Sequence, residues 1–174
     1  MLDDDGEVLV RTNSRARGYR NQPSETAETF GRDGFLRTGD IGALDEQGRL
    51  RIIDRKKEFL IDESGHNTAP AAIESALKSV CPLIGHVCLV GDGRPYLSAL
   101  ILLEPPELAS DPRAAARVAD AIERLNAAGD PRERIHRHML LTAPWLPGEE
   151  LTETLKLRRK RIVEKHADAI AAMY

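Results

Sequence analysis

Residues 86–103 read HVCLVGDGRPYLSALILL. Two apolar runs, His86–Val90 and Tyr96–Leu103, flank Gly91-Asp92-Gly93-Arg94-Pro95, a stretch rich in residues that end helices and make turns. The spacing predicts two strands joined by that turn. Upstream, Phe59–Asp62 reads as a short strand and Glu63–Asn67 as a loop. Pro70 then opens a helix, with Ile73, Ala76, Leu77 and Val80 at i, i+3, i+4 and i+7. Downstream, Arg113–Leu125 places Ala114, Val118, Ala121, Ile122 and Leu125 on one helical face. Pro131–His138 reads as a second short helix and Met139–Thr142 as a strand. Arg158–Met173 reads as a last helix that buries Ile162, Val163, His166, Ile170 and Met173. From about Lys57 onward the chain is therefore expected to form a compact α+β domain.

The first fifty residues differ. Glu7–Arg11 has a strand pattern. Arg17–Phe30 gives turn chemistry and then a short helix over Glu25–Thr29, with Ser24 as its cap. Ile41–Leu44 and Arg49–Asp54 read as strands joined by the tight turn Asp45–Gly48, where Gly48 can take positive φ. A strand at Glu7 needs neighbours to satisfy its backbone, and little else nearby could build a sheet around it. The expectation is that the sequence starts partway through a larger domain. Residues 1–54 would be its β-rich end and 55–174 the second domain. The charged stretch Arg55–Glu58 would be either a solvated turn or a hinge.

Composition narrows the function. The chain has 174 residues, 41% apolar and 30% charged, as soluble globular proteins do. A net charge of −3 and 4% aromatic residues argue against a nucleic-acid partner. No apolar run could span a bilayer. The acidic start MLDDDGEV is no secretory signal. Cys81 and Cys88 form no CxxC and fit the reduced, buried thiols of a cytosolic protein. His136 and His138 would diverge on a helix, with no carboxylate or cysteine at ligand spacing, so no metal site is expected.

An ordered series of motifs adds a family. In sequence come GEVLVR (6–11), GYRNQPSETAETF (18–30), GFLRTGDIG (34–42), DEQGRLRIIDRKKE (45–58), IESAL (73–77) and LTETLKLRRKR (151–161). The series covers nearly the whole chain and resembles the C-terminal end of AMP-forming acyl-CoA synthetases, in the acyl-adenylate-forming superfamily, above all the long-chain fatty-acid–CoA ligases. The resemblance implies a two-step reaction. ATP and a fatty acid give an acyl-adenylate and pyrophosphate; coenzyme A then gives the thioester and AMP. It implies ATP, coenzyme A and Mg²⁺ as cofactors, with the metal held mostly outside this chain. The implied fold is a small mobile lid, a short antiparallel sheet with flanking helices, over 55–174. A hinge near 54–58 joins it to a β-rich remnant (1–54) of the large N-terminal adenylation domain.

The same resemblance assigns residues. Asp40 would accept hydrogen bonds from the ribose hydroxyls, which suits an acceptor-only carboxylate; otherwise it is a turn aspartate just before a strand. Arg55 would meet ribose or phosphate with its fork of donors; otherwise it is a solvated arginine. Lys57 falls at the hinge position, or in a charged turn with no moving part. Gly65, in the loop Ser64–Asn67, would let the backbone approach the thiol arm of coenzyme A, or is a plain loop glycine. Asn67 stands where other branches carry arginine, which weakens the case for a phosphate contact.

Lys156 is the implied catalytic residue. Its ammonium would touch the fatty-acid carboxylate and the α-phosphate and stabilise developing negative charge. Leu155 stands where the wider family has glycine, and Glu153 where the long-chain branch often has proline. Arg158, Arg159, Lys160 and Arg161 would form the solvated face of the last helix. The phosphate loop, the adenine-binding motif and the acyl tunnel are missing, so activity would need the large N-terminal domain, covalently or as a separate chain. Fatty acid is the expected substrate. A homodimer through exposed N-terminal strands is a further expected partner; nucleic acid and a transmembrane segment are not expected. The location would be cytoplasmic or peripheral to a membrane. The alternative function is a stand-alone, non-catalytic module that binds nucleotide or coenzyme A or docks another protein.

Overall fold

The apolar run Leu97–Leu103 is buried along its whole length, and the larger part of the chain is built around it. The computed structural model describes residues 1–31 and 33–174. It divides into two units, Met1–Phe59 and Leu60–Tyr174.

The first unit holds β1 (Glu7–Val10), α1 (Pro23–Thr29), β2 (Leu36–Leu44) and β3 (Leu50–Arg55). The strands form one antiparallel sheet in the order β1-β2-β3. The β2–β3 turn is held as expected: the Asp45 carboxylate accepts the N–H groups of Gln47 and Arg49, and Gly48 takes φ +74°. Helix α1 starts at Pro23 behind Gln22, with no side-chain cap. Ser24 is thus inside the helix rather than its cap, because proline already sets the entry φ. Strand β2 runs unbroken through Thr38-Gly39-Asp40, so Asp40 lies within a strand rather than before one. Its pairing with neighbours on both sides carries the strand through a glycine. The β1–β2 register slips between Glu7↔Ile41 and Leu9↔Arg37, and Gly39 absorbs the slip with φ +70°.

The second unit contains β4 (Leu60–Ile61), β5 (Asn67–Thr68), α2 (Pro70–Val80), β6 (Ile84–Val90), β7 (Leu97–Leu103), α3 (Pro112–Ala128), β8 (Ile135–Leu141), α4 (Arg159–Lys165) and α5 (Ala167–Ala171). β4 pairs with β5; the main sheet has the order β6-β7-β8. β6 and β7 are antiparallel, while β8 runs parallel to β7, a pairing that needs the crossover through α3. Alternate residues of β7 feed two cores. Leu97, Ala99, Ile101 and Leu103 pack with Leu77 of α2 and Val118 and Ile122 of α3. Leu100 and Leu102 pack with Trp145, Leu151, Ile162, Ile170 and Met173. Each fully buried leucine contributes about 2 kcal/mol, so the sheet is held from both faces.

Further expectations are corrected in the second unit. Pro131–His138 is not a helix: a single 3₁₀ turn at Pro131–Glu133 gives way to β8 at Ile135. Pairing along an entirely buried β7 outweighs a weak local helical preference. The last helix breaks at His166, whose Nε2 accepts the Trp145 indole N–H at 3.3 Å. Within α4, Val163 is 37% exposed while Ile162 is fully buried. Val80, at the end of α2, is also exposed. Among the described residues no helix is long and apolar enough to cross a membrane.

Candidate functional site

In the first unit, Asp40 and Arg55 face each other across β2 and β3 as register partners, and the Arg55 Nε–H donates to Asp40 Oδ1 at 2.7 Å. Thr38 supports this corner: its hydroxyl donates to the Val8 carbonyl and accepts the Asp40 N–H. Glu7, a carboxylate in β1 that is only 4% exposed, accepts the Gly39 N–H at 2.9 Å and the Lys56 ammonium at 3.2 Å. Lys56 also pairs with Asp5 at 2.5 Å. These carboxylates raise the Lys56 pKa, with Asp5 the larger influence. Lys56 is thus fixed to β1, whereas Lys57, next in the same 3₁₀ turn, is exposed. A hollow of about 800 Å³ between residues 12–17 and α1, lined in part by Arg15, Arg17 and Phe30, includes none of Asp40, Arg55 or Lys57.

In the second unit, Gly65 closes a turn organised by Asp62. One Asp62 oxygen accepts from the Ser64 N–H, the Ser64 hydroxyl and the His66 N–H. These bonds hold the Asp62 carboxyl below its usual pKa, Ser64 contributing most. Gly65 takes φ +83°, and no atom lies within 4 Å of where a Cβ would sit.

Lys156 lies on a small hairpin. Leu151 and Leu157 bridge antiparallel at its base. The Thr152 N–H donates to the Lys156 carbonyl at 2.8 Å and the Leu155 N–H to the Thr152 carbonyl at 2.9 Å. The Thr152 hydroxyl accepts the Lys156 N–H. Lys156 is exposed, and its ammonium forms no ion pair with a described residue. The hairpin is anchored inward by Leu151, 2% exposed in the second core. Next to it Glu150, 1% exposed, accepts the Leu146 N–H and pairs with Lys165 of α4. Burial pushes the Glu150 carboxyl up, but Lys165 and the N–H donors outweigh it and leave the pKa lowered; Glu150 in turn raises that of Lys165. Arg158 and Arg161 both donate to the Gly148 carbonyl.

Arg159 corrects the expected solvated face. Its side chain is 12% exposed and pairs with Glu74 of α2 at 2.8 Å. It also donates to the Leu89 carbonyl, and Glu74 accepts the Leu89 N–H. This buried pair ties the start of α4 to α2 and β6. Sequence reasoning missed Glu7, Glu74, Glu150 and Arg159. Only Glu74 left a signal: a carboxylate three residues before Leu77, on the apolar side of α2.

Residues 57–174 match the family of the AMP-binding enzyme C-terminal domain. The chain belongs to that family. This AMP-binding enzyme C-terminal domain and the residues before it are 37% identical over 192 residues to the long-chain-fatty-acid–CoA ligase FadD15 of Mycobacterium tuberculosis, covering 99% of the chain and 32% of the ligase. They are 30% identical over 204 residues to the long-chain-fatty-acid–CoA ligase ACSBG1 of Rattus norvegicus, covering 97% and 28%. Among solved structures, the A domain of carboxylic acid reductase from Segniliparus rugosus, in complex with AMP and a co-purified carboxylic acid, superposes with a TM-score of 0.85 at 26% identity. That match covers 97% of this chain and 28% of the reductase chain. The chain spans about a third of the length of the curated relatives it matches.

Proposed function

We propose that the chain is the C-terminal part of a fatty-acid–CoA ligase and that its second unit is the moving lid. The observation that carries this reading is the Lys156 hairpin: an exposed ammonium, free of ion pairs with described residues, on a loop whose base is pinned into a core by Leu151 and Glu150. A charge that must enter another reaction centre needs a rigid pedestal and an unengaged head.

In the first half-reaction the fatty-acid carboxylate oxygen attacks the α-phosphorus of ATP. The bond to the β-phosphate oxygen breaks and pyrophosphate leaves. Lys156 would bring the carboxylate and the α-phosphate together and stabilise the charge that builds on the phosphoryl oxygens. Asp40 would accept the ribose hydroxyls through the oxygen not engaged by Arg55, and Arg55 would offer its remaining N–H donors to the nucleotide. AMP complexes among the structural neighbours support a nucleotide ligand. In the second half-reaction the coenzyme A thiol displaces AMP from the acyl carbon, with the open space at Gly65 beside the thiol arm. The lid would pivot at Lys57, since Lys56 is held to the first unit by Asp5 and Glu7. Among the described residues no three His, Cys, Asp or Glu side chains converge on a metal site, and no role given to this chain runs through Mg²⁺.

The test joins the chain, by fusion or by mixing, to the large adenylation domain of a relative. Pyrophosphate release from ATP and fatty acid is measured, and thioester formation from supplied acyl-adenylate separately. Lys156→Ala should lower adenylation by at least about 100-fold, the scale of losing one preorganised charge contact, and leave thioester formation nearly intact. Equal loss in both halves would remove Lys156 from its role. Tight nucleotide binding by the chain alone, with no activity in the joined protein, would favour the stand-alone module.

A further inference from the structure

Leu155 occupies a position whose backbone favours glycine. The turn over Thr152–Leu155 closes with the Thr152 N–H bonded to the Lys156 carbonyl, and a left-handed residue just before Lys156 makes that closure. Leu155 supplies it with φ +60°. In that conformation Cβ crowds the following carbonyl oxygen, and leucine has no polar side chain to offset the strain. The side chain is nevertheless 59% exposed. The residue beside Lys156 therefore combines backbone strain with an apolar group held in water. A second exposed leucine, Leu146 at 48%, sits on the adjoining turn. That turn is joined to the hairpin base by the Gly148 N–H to the Leu151 carbonyl and by Leu146 to Glu150.

We propose that Leu155 is a positioning residue whose side chain beds against an apolar wall of the large adenylation domain when Lys156 enters the reaction centre. The inference rests on the functional reading above. The occupant is the remainder of the same ligase: the matched relatives are about three times as long as this chain, and so have the extra chain to form that wall. Bedding Leu155 fixes the hairpin tip and excludes water from the contact between ammonium and carboxylate, which strengthens it. Glycine would relax the backbone and lose the anchor.

Leu155→Gly, Leu155→Met and Lys156→Ala are compared in the joined protein by the two half-reaction assays, and the 174-residue chain is melted for each. Leu155→Gly should raise the thermal midpoint by about 2 °C while lowering adenylation kcat about tenfold. KM for ATP and thioester formation should stay as they were, and Leu155→Met should restore adenylation. A merely structural leucine would move stability and both half-reactions in the same direction, which overturns the proposal. Unchanged adenylation in Leu155→Gly, with Lys156→Ala inactive, overturns this inference alone. Unchanged adenylation in Lys156→Ala, or none in the unsubstituted joined protein, overturns the functional reading and this inference with it.

Discussion

A carboxylate inside an apolar core must be met by donors or lose its charge. Glu150 is met by the Leu146 N–H and by the ammonium of Lys165, and the two loops that carry Lys156 and Leu146 are joined through it. Removing the side chain leaves the Leu146 N–H without its acceptor and a gap in the second core, so Glu150→Ala should cost about 2 kcal/mol in urea unfolding at neutral pH. The pH dependence has a definite sign. The folded pKa of Glu150 lies below its ordinary 4.5, so its contribution is full above that value and fades as pH falls through the lowered one. The stability gap between the two proteins should therefore narrow in acid; a gap that stays constant down to pH 3 would exclude the ion pair as its source. Asp130, held to about 2 first of all by Arg132, adds acid sensitivity to both proteins alike and drops out of the difference. None of this was legible in the sequence. Lys156 stands out because a motif surrounds it, whereas Glu7, Glu150 and Arg159 read as ordinary solvated charges. Only tertiary packing makes them partners.

At the scale of elements, the Asp62–His66 turn shows what a glycine does when nothing crowds it. Gly65 has open space at its Cβ position, so a substitution there is felt only through φ +83°. Gly65→Ala should destabilise the chain by about 1 kcal/mol. Gly65→Asn should cost less, because asparagine tolerates the left-handed region; chemical denaturation of the three proteins checks the order. Equal costs would point to lost packing instead of backbone strain. Elements were readable where a single period ran undisturbed. α2, α3, β6 and β7 appear within a few residues of where the apolar spacing puts them. β8 was not readable, since Ile135-His136-Arg137-His138 gains strand character only from the buried edge of β7 that receives it. The break at His166 was equally hidden, because the bond from the Trp145 indole lies 21 residues away in sequence.

At the scale of the whole molecule, the edge strand of the first unit exposes apolar side chains among its charges. Leu44, Leu50, Ile52 and Ile53 are each 40% exposed or more. Ile52 pairs with Gly42 while Ile53 is the extra residue of a β-bulge, and both stay exposed. β3 is also the edge of the order β1-β2-β3 and presents unpaired backbone groups beside those side chains. The strand at Glu7 finds its neighbour in β2 of the same unit, against the expectation that little nearby could build a sheet, and which strand is left bare depends on the sheet order. An edge strand with exposed apolar side chains is a template for pairing with a second copy. The 174-residue chain should therefore associate as its concentration rises, seen as a growing mean mass in light scattering. Ile52→Lys should suppress this by placing a charge on the edge, while a lysine at the already solvated Glu46 of the β2–β3 turn should not. Adding the large domain should compete with self-association if both use the same ribbon. A chain that stays monomeric at every concentration would show that backbone twist and the charges at Arg49, Arg51 and Asp54 already protect the edge, and would remove the homodimer from the set of partners.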